Sequence, residues 1–384
     1  MGILKRLQET FLLISDQCLK SNFCKIAYLS CILSAGSFVN SSAASQVSTS
    51  LAEASLEVQI HSTSIPSLEE VILQAFVDQV ILPGYDTLSQ QTVALASAAN
   101  LLATEPTGDH LTATQLAWGK AFSVWQRGAA YTFGPSDSLG FSGSLESGLD
   151  EASLTALLSS DRPLTLAAIA NLPSSMRGFE AIAYVLFGAD GTQSADQLSA
   201  RELAYLQTAT TDLHMTAANL GQSWTTGVYG YPAYRQVFVT AGSADNPAYL
   251  SIQAALEEIL QGVLGTTDEM AAEALPELLE SPDEMVVTQG GVSSLSSVYS
   301  AVEGAYYAYV GAVPEAGQRG KGLSDYVAAN DPVVDEEIRL HFLVALAALE
   351  LAASDPTALV EASMELETVI TQLEESVLPL LQQL

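Results

Sequence analysis

The sequence predicts an all-α protein of two bundled helical halves with little or no sheet, and three observations carry that expectation. Apolar residues recur at three- and four-residue intervals along most of the 384-residue chain. Pro, Gly and Asp-Pro signals cut the chain into helix-length pieces. No segment sustains a two-residue alternation rich in β-branched residues. A composition 48% hydrophobic but only 7% aromatic suits helices packed closely through small side chains, and it is far too apolar for intrinsic disorder.

The amino terminus reads as an export leader over residues 1–44. Lys20 and Lys25 precede an apolar run from Ile26 to Val39, too short to span a bilayer, and Ser42-Ala43-Ala44 offers a cleavage site. The three cysteines, Cys18, Cys24 and Cys31, all fall inside it. The chain beyond the leader therefore has no disulfide, no thiolate ligand and no thiol nucleophile. Residues 45–65, rich in Ser, Thr and Ala, read as a tether.

From Pro66 the helical pattern begins. Ser67 with Glu69 and Glu70 is a helix start. Pro83-Gly84 is expected to bend the chain before a second run, from Tyr85 to about Ala103. A third helix spans roughly Thr112 to Tyr131. The Gly- and Ser-rich stretch from Phe133 to Asp150 is irregular, and such a segment is either functional or a surface loop. Shorter helices follow at 151–159, 164–171 and about 175–187, then a long one from Ala195 to about Trp224. The aromatic-rich break Gly227 to Tyr234 divides an amino-terminal half, 66–235, from a carboxy-terminal half, 236–384. In the second half helices are expected after Asn246-Pro247 to roughly Gly262, after Gly265 to about Leu279, over 293–311, from Asp331-Pro332 to about Ala353, and from Asp355-Pro356 to Leu381.

Charge narrows the partners. Thirteen basic residues face 44 acidic ones, a net charge of −31, and removing the leader leaves nine basic against 42 acidic. Such a chain repels phosphate backbones and anionic lipid, so no nucleic-acid partner is expected. An acidic surface keeps a protein soluble, and it also concentrates cations.

Several runs together resemble the imelysin family. Val71 to Leu88 (VILQAFVDQVILPGYDTL) is similar to the family's opening helix, and Ala117 to Pro135 (AWGKAFSVWQRGAAYTFGP) to its two-tryptophan helix and Phe-Gly-Pro turn. Arg177 to Gly188 (RGFEAIAYVLFG) corresponds to the strip that carries its main motif. Val298 to Gly311 (VYSAVEGAYYAYVG) and Gly322 to Asp335 (GLSDYVAANDPVVD) match its closing helices and their linker. The resemblance implies two helical-bundle halves and a role in iron uptake, exported to the periplasm or associated with the cytoplasmic membrane. It implies iron or another hard cation as ligand, and an envelope iron-uptake protein as partner.

The motif strip departs from its family. Members usually carry Gly-x-His-x-x-Glu there, with His and Glu on one helical face able to reach one metal ion. Here Gly178 is kept, Glu180 replaces the His and Ala183 replaces the Glu. A zinc-peptidase site of the His-x-x-Glu kind cannot be assembled from this strip, so a non-catalytic protein is expected. The alternatives are a hydrolase with a rearranged carboxylate site, or an interaction module whose metal site has decayed.

Glu180 is the metal candidate, since a carboxylate on a largely apolar helix needs a cation or an ionic partner. That partner could be Arg177 or Arg127. Arg177, Arg127, Gly178 and Tyr131 are read as walls of the site. Glu337 and His341, four apart on one helix, are second-rank metal candidates, with a surface ion pair as the plainer account. Trp118, Trp125 and Tyr131, near seven-residue spacing, read as core packing, as do the tyrosines at 299, 306, 307 and 309. No Gly-x-Ser-x-Gly elbow occurs, and nucleophilic catalysis has no support.

Overall fold

The computed structural model describes residues 66–189, 191–280, 294–317 and 319–384. The leader, the tether, His61, Pro282 and Gly290-Gly291 lie outside the described residues. The first helix forms as its start signal dictates. Ser67 Oγ accepts from Glu70 N–H at 3.2 Å, and Glu70 Oε2 accepts from Ser67 N–H at 2.8 Å, a reciprocal cap on α1 (Leu68–Phe76).

The expected bend at Pro83-Gly84 is absent. A π turn (Val77–Ile81) joins α1 to α2 (Leu82–Thr104), and the chain stays helical throughout. The same device occurs twice more. The π turn Met270–Ala274 links α11 (Ile252–Glu269) to α12 (Leu275–Glu280), and Leu373–Val377 links α16 (Ala358–Gln372) to α17 (Leu378–Leu381). Each π turn ends two residues before a proline: Pro83, Pro276 and Pro379. A proline inside a helix lacks the N–H and crowds the preceding carbonyl. One extra residue in the preceding turn widens it and moves that carbonyl aside, so the helix continues.

Between these elements lie α3 (Gly108–Arg127), a 3₁₀ turn (Ala129–Tyr131), α4 (Pro135–Ser138), α5 (Phe141–Leu145), α6 (Glu151–Leu158), α7 (Leu166–Ala170), α8 (Gly178–Phe187), α9 (Ala200–Thr225) and α10 (Tyr234–Val239). After α12 come α13 (Ser294–Val310), α14 (Leu323–Asn330) and α15 (Pro332–Ala352). Helix α14 is not assigned from the sequence pattern. Its eight residues lie between Gly322 and the Asp331-Pro332 signal, too few to display an amphipathic period. No strand occurs among the described residues, and the all-helical expectation holds.

The described residues all fall in one compact unit. Helix α2 lies between α3 and α9, and α15 pairs with α16. Elements of the two stretches 66–235 and 236–384 also pack directly: α13 on α3, and α11 on both α1 and the Ala129–Tyr131 turn. Glycine permits the close approach. A Cβ at Gly262 would stand 2.1 Å from Ala130 O, so α11 comes within backbone contact of that turn. An aromatic cluster crosses the aromatic-rich break. Phe133 stacks on Phe76 at 6.3 Å between centroids, and Trp224 meets Tyr234 edge-on at 5.0 Å.

Candidate functional site

Helix α8 carries the degenerate motif, and its first residue shows why glycine stands there. Gly178 has φ +86°, and a Cβ would lie 2.6 Å from Leu145 O. Only a residue without a side chain admits both the left-handed backbone and the close approach of the α5 end. That approach sets Leu145, and with it Glu146, against the start of α8. The Gly-rich stretch is therefore two short helices ending in a carboxylate held at the motif strip.

Glu146 is held from a second side by α3. Trp125 Nε1 donates to Glu146 Oε2 at 2.5 Å, and Gln126 Nε2 donates to both carboxylate oxygens at 2.9 and 3.0 Å. Seven residues earlier, Trp118 Nε1 donates to Phe179 O at 3.0 Å, fixing α8 itself. Both tryptophans are buried, as their spacing suggests, but each also spends its single donor on the candidate site. Glu146 lines a cleft of about 300 Å³ bordered by Gln126, Thr132, Ser142, Thr266 and Glu269. Burial pushes the Glu146 carboxyl up; the Trp125 and Gln126 donors pull against that, and Glu269 adds to it.

Glu180 sits in the first turn of α8, where backbone N–H groups favour negative charge. Even so its carboxyl is pushed up to about 7, first by burial and then by the neighbouring Glu146. Its contact with Ser147 N–H, at 3.4 Å, is long. No arginine, lysine or histidine pairs with it among the described residues.

The two expected ionic partners are engaged elsewhere. Arg177 Nη1 donates to Asp212 Oδ2 on α9 at 3.1 Å, and Nη2 to Ser144 Oγ at 3.0 Å. Arg127 Nε donates to Glu303 at 2.8 Å, and its Nη1 to Glu315 at 2.9 Å. Arg127 thus ties α3 to α13 and to the turn before α14 and leaves Glu180 alone. Tyr131 is buried against Gly84, where a Cβ would meet its hydroxyl oxygen at 2.2 Å, and its carbonyl accepts from Tyr85. The structure gathers Gly178 and Arg177 at the start of α8 with Glu180, while Arg127 and Tyr131 serve the junction with α13 and α2.

The second-rank residues, Glu337 and His341, each take a partner on α16. His341 Nδ1 meets Glu365 Oε2 on α16, and Glu337 accepts from Gln372 Nε2 at 3.1 Å. An i, i+4 spacing allows contact along one helix, but α16 packs beside α15 and offers each side chain a partner across the gap. Among the described residues no three His, Cys, Asp or Glu side chains converge to hold a metal ion.

Glu146 is the site residue that sequence reasoning missed. It lies 34 positions before Glu180 in a segment without periodicity, and nothing local marks it. The one available signal was a glutamate, the only one in the Gly- and Ser-rich stretch 133–150.

These features belong to a helical protein in which the motif helix and the two-tryptophan helix hold two neighbouring carboxylates. The chain is a member of the imelysin family, whose model matches residues 81–379. It is 30% identical, over 81% of its length and 86% of the relative's, to iron-regulated protein A of Synechococcus elongatus. In fold it is similar to a crystal structure described as an iron-regulated protein A precursor from Parabacteroides distasonis. The TM-score is 0.68 at 18% identity, covering 83% of this chain and 96% of that one. An imelysin-like protein from Psychrobacter arcticum gives a TM-score of 0.66 at 16% identity, covering 83% and 97%.

Proposed function

We propose that this chain is an exported, non-catalytic imelysin-family protein of the cell envelope that acts in iron acquisition or homeostasis. On this reading it binds a hard cation at the Glu180–Glu146 pair. The observation that carries the reading is Glu180 itself: a half-buried carboxylate, repelled by a second carboxylate, with no basic partner among the described residues. A cation between two such groups removes both the desolvation cost and the repulsion. The iron assignment draws on the iron-regulated relative, and export on the leader pattern and the precursor description. No helix among the described residues is long and apolar enough to cross a membrane.

Two carboxylates fit a hard oxygen-seeking ion such as ferric iron, Ca²⁺ or Mg²⁺, but they do not close a coordination sphere. The cation is therefore taken up with ligands of its own, water or a chelator, in the cleft beside Glu146. Calorimetry with ferrous iron, ferric citrate, Ca²⁺ and Zn²⁺ tests this, on the wild-type chain and on Glu180→Ala and Glu146→Gln. Saturable iron binding lost in both variants supports it. Weak, unselective binding untouched by either would leave the acidic surface as the sole cause, and a protein-interaction role as the better account.

A further inference from the structure

Outside the carboxylate site, a cleft of about 540 Å³ opens between α13, α14 and α15, lined by Tyr306, Arg319, Ser324, Asp325, Asp335 and Arg339 among others. Lys321 adjoins it through a groove shared with Arg319. A chain with 13 basic residues against 44 acidic ones thus brings three cations to one place.

The two acids in this cleft have little acceptor capacity left. Asp335, 3% exposed, accepts from Tyr309 at 3.0 Å, from Ser324 at 2.6 Å and from Arg339 Nε at 2.9 Å. Asp325 accepts from Arg319 Nη2 at 2.9 Å, from Lys321 at 2.6 Å and from Gly322 N–H at 3.1 Å. Most of the unspent capacity is on the donor side. Neither Nη of Arg339 nor Nη1 of Arg319 has a hydrogen bond among the described residues, and the Tyr306 hydroxyl has none. Both guanidiniums lie close enough to Tyr306 to favour its charged form, although burial pushes the phenol up overall.

A cation meets carboxylates that already accept three hydrogen bonds each, whereas an acceptor-rich molecule meets two guanidinium edges and a hydroxyl. The cleft is also larger than a single phosphate ion needs. We infer that this cleft binds a small di- or tricarboxylate, its carboxylates held by Arg339 and Arg319 and one oxygen by the Tyr306 hydroxyl. The site stands independently of the cation reading at Glu180.

The test titrates the full chain with citrate, succinate and inorganic phosphate at physiological salt, by calorimetry. Saturable citrate binding is expected, weakened at least about tenfold, or about 1.4 kcal/mol, in Arg319→Gln and in Arg339→Gln, with a smaller loss in Tyr306→Phe. Glu180→Gln leaves it unchanged. Tyr306 has no charge partner, and in Arg319→Gln the carboxylate of Asp325 keeps Lys321, so these variants keep the test valid if Arg339→Gln fails to fold. Absence of saturation up to about 10 mM citrate overturns the proposal. Equal affinity in Arg319→Gln and Tyr306→Phe overturns it too, and so does phosphate binding as tightly as citrate.

Discussion

Arg177 reaches Asp212 across 3.1 Å and does not reach Glu180, three residues along the chain from it. Both members of this pair are largely buried, with side chains 15% and 9% exposed. Removing one leaves the other charged and unpartnered. Arg177→Met or Asp212→Leu is expected to cost about 3–5 kcal/mol, and the double variant distinctly less. Urea unfolding of all three variants measures this. A double-variant loss equal to the sum of the two single losses would show that the two side chains do not act as a pair.

The pH dependence of stability carries the signature of Glu180. Its folded value of about 7 lies above the ordinary 4.5, so the folded chain holds this proton more tightly than the unfolded chain. The stabilisation is complete below about 4.5 and is lost as pH rises through 7. Glu180→Gln should flatten that part of the curve and raise the melting temperature at pH 8. Thermal melts at pH 5.5 and 8 decide it; an unchanged pH slope in the variant would contradict the assignment.

Gly178→Ala places a methyl group 2.6 Å from Leu145 O on a backbone with φ +86°. Left-handed strain for a non-glycine residue is worth about 1–3 kcal/mol, and displacement of a packed backbone adds a similar amount. A loss of at least about 2 kcal/mol is expected, together with weakened cation binding, because Glu146 is seated by the same contact. Chemical denaturation and iron titration of the variant check the two effects separately.

Trp125→Phe keeps a ring in the core and removes the N–H that meets Glu146. A hydrogen bond to a charged group contributes about 1.5–3 kcal/mol, so the loss should approach that figure above neutral pH. It should shrink on acidification, as Glu146, already pushed up by burial, takes a proton. Comparing urea midpoints at pH 8 and pH 5 separates this from a packing defect, which would be the same at both.

The helices were legible because their signals are local. The Ser67-Glu70 cap, the Asp331-Pro332 start and the three- and four-residue apolar period act within a turn or two of the chain. The same locality explains the errors. Pro83 reads as a break because its own turn cannot accommodate it, and the π turn that does so is built from Val77–Ile81, which carry no signal of their own. Gly178 and Glu180 were visible as departures from a motif, yet their partners were not.

The sequence by itself determined the helical class, the family and the loss of the His-x-x-Glu pair, since each depends on residue types at short, fixed spacing. Tertiary structure alone decided which charge meets which. Arg177 takes Asp212, Arg127 takes Glu303 and Glu315, His341 takes Glu365, and Glu180 is left beside Glu146. Ionic partners are chosen by distance in space, and α8, α5 and α9 are brought together by packing contacts such as Gly178 on Leu145.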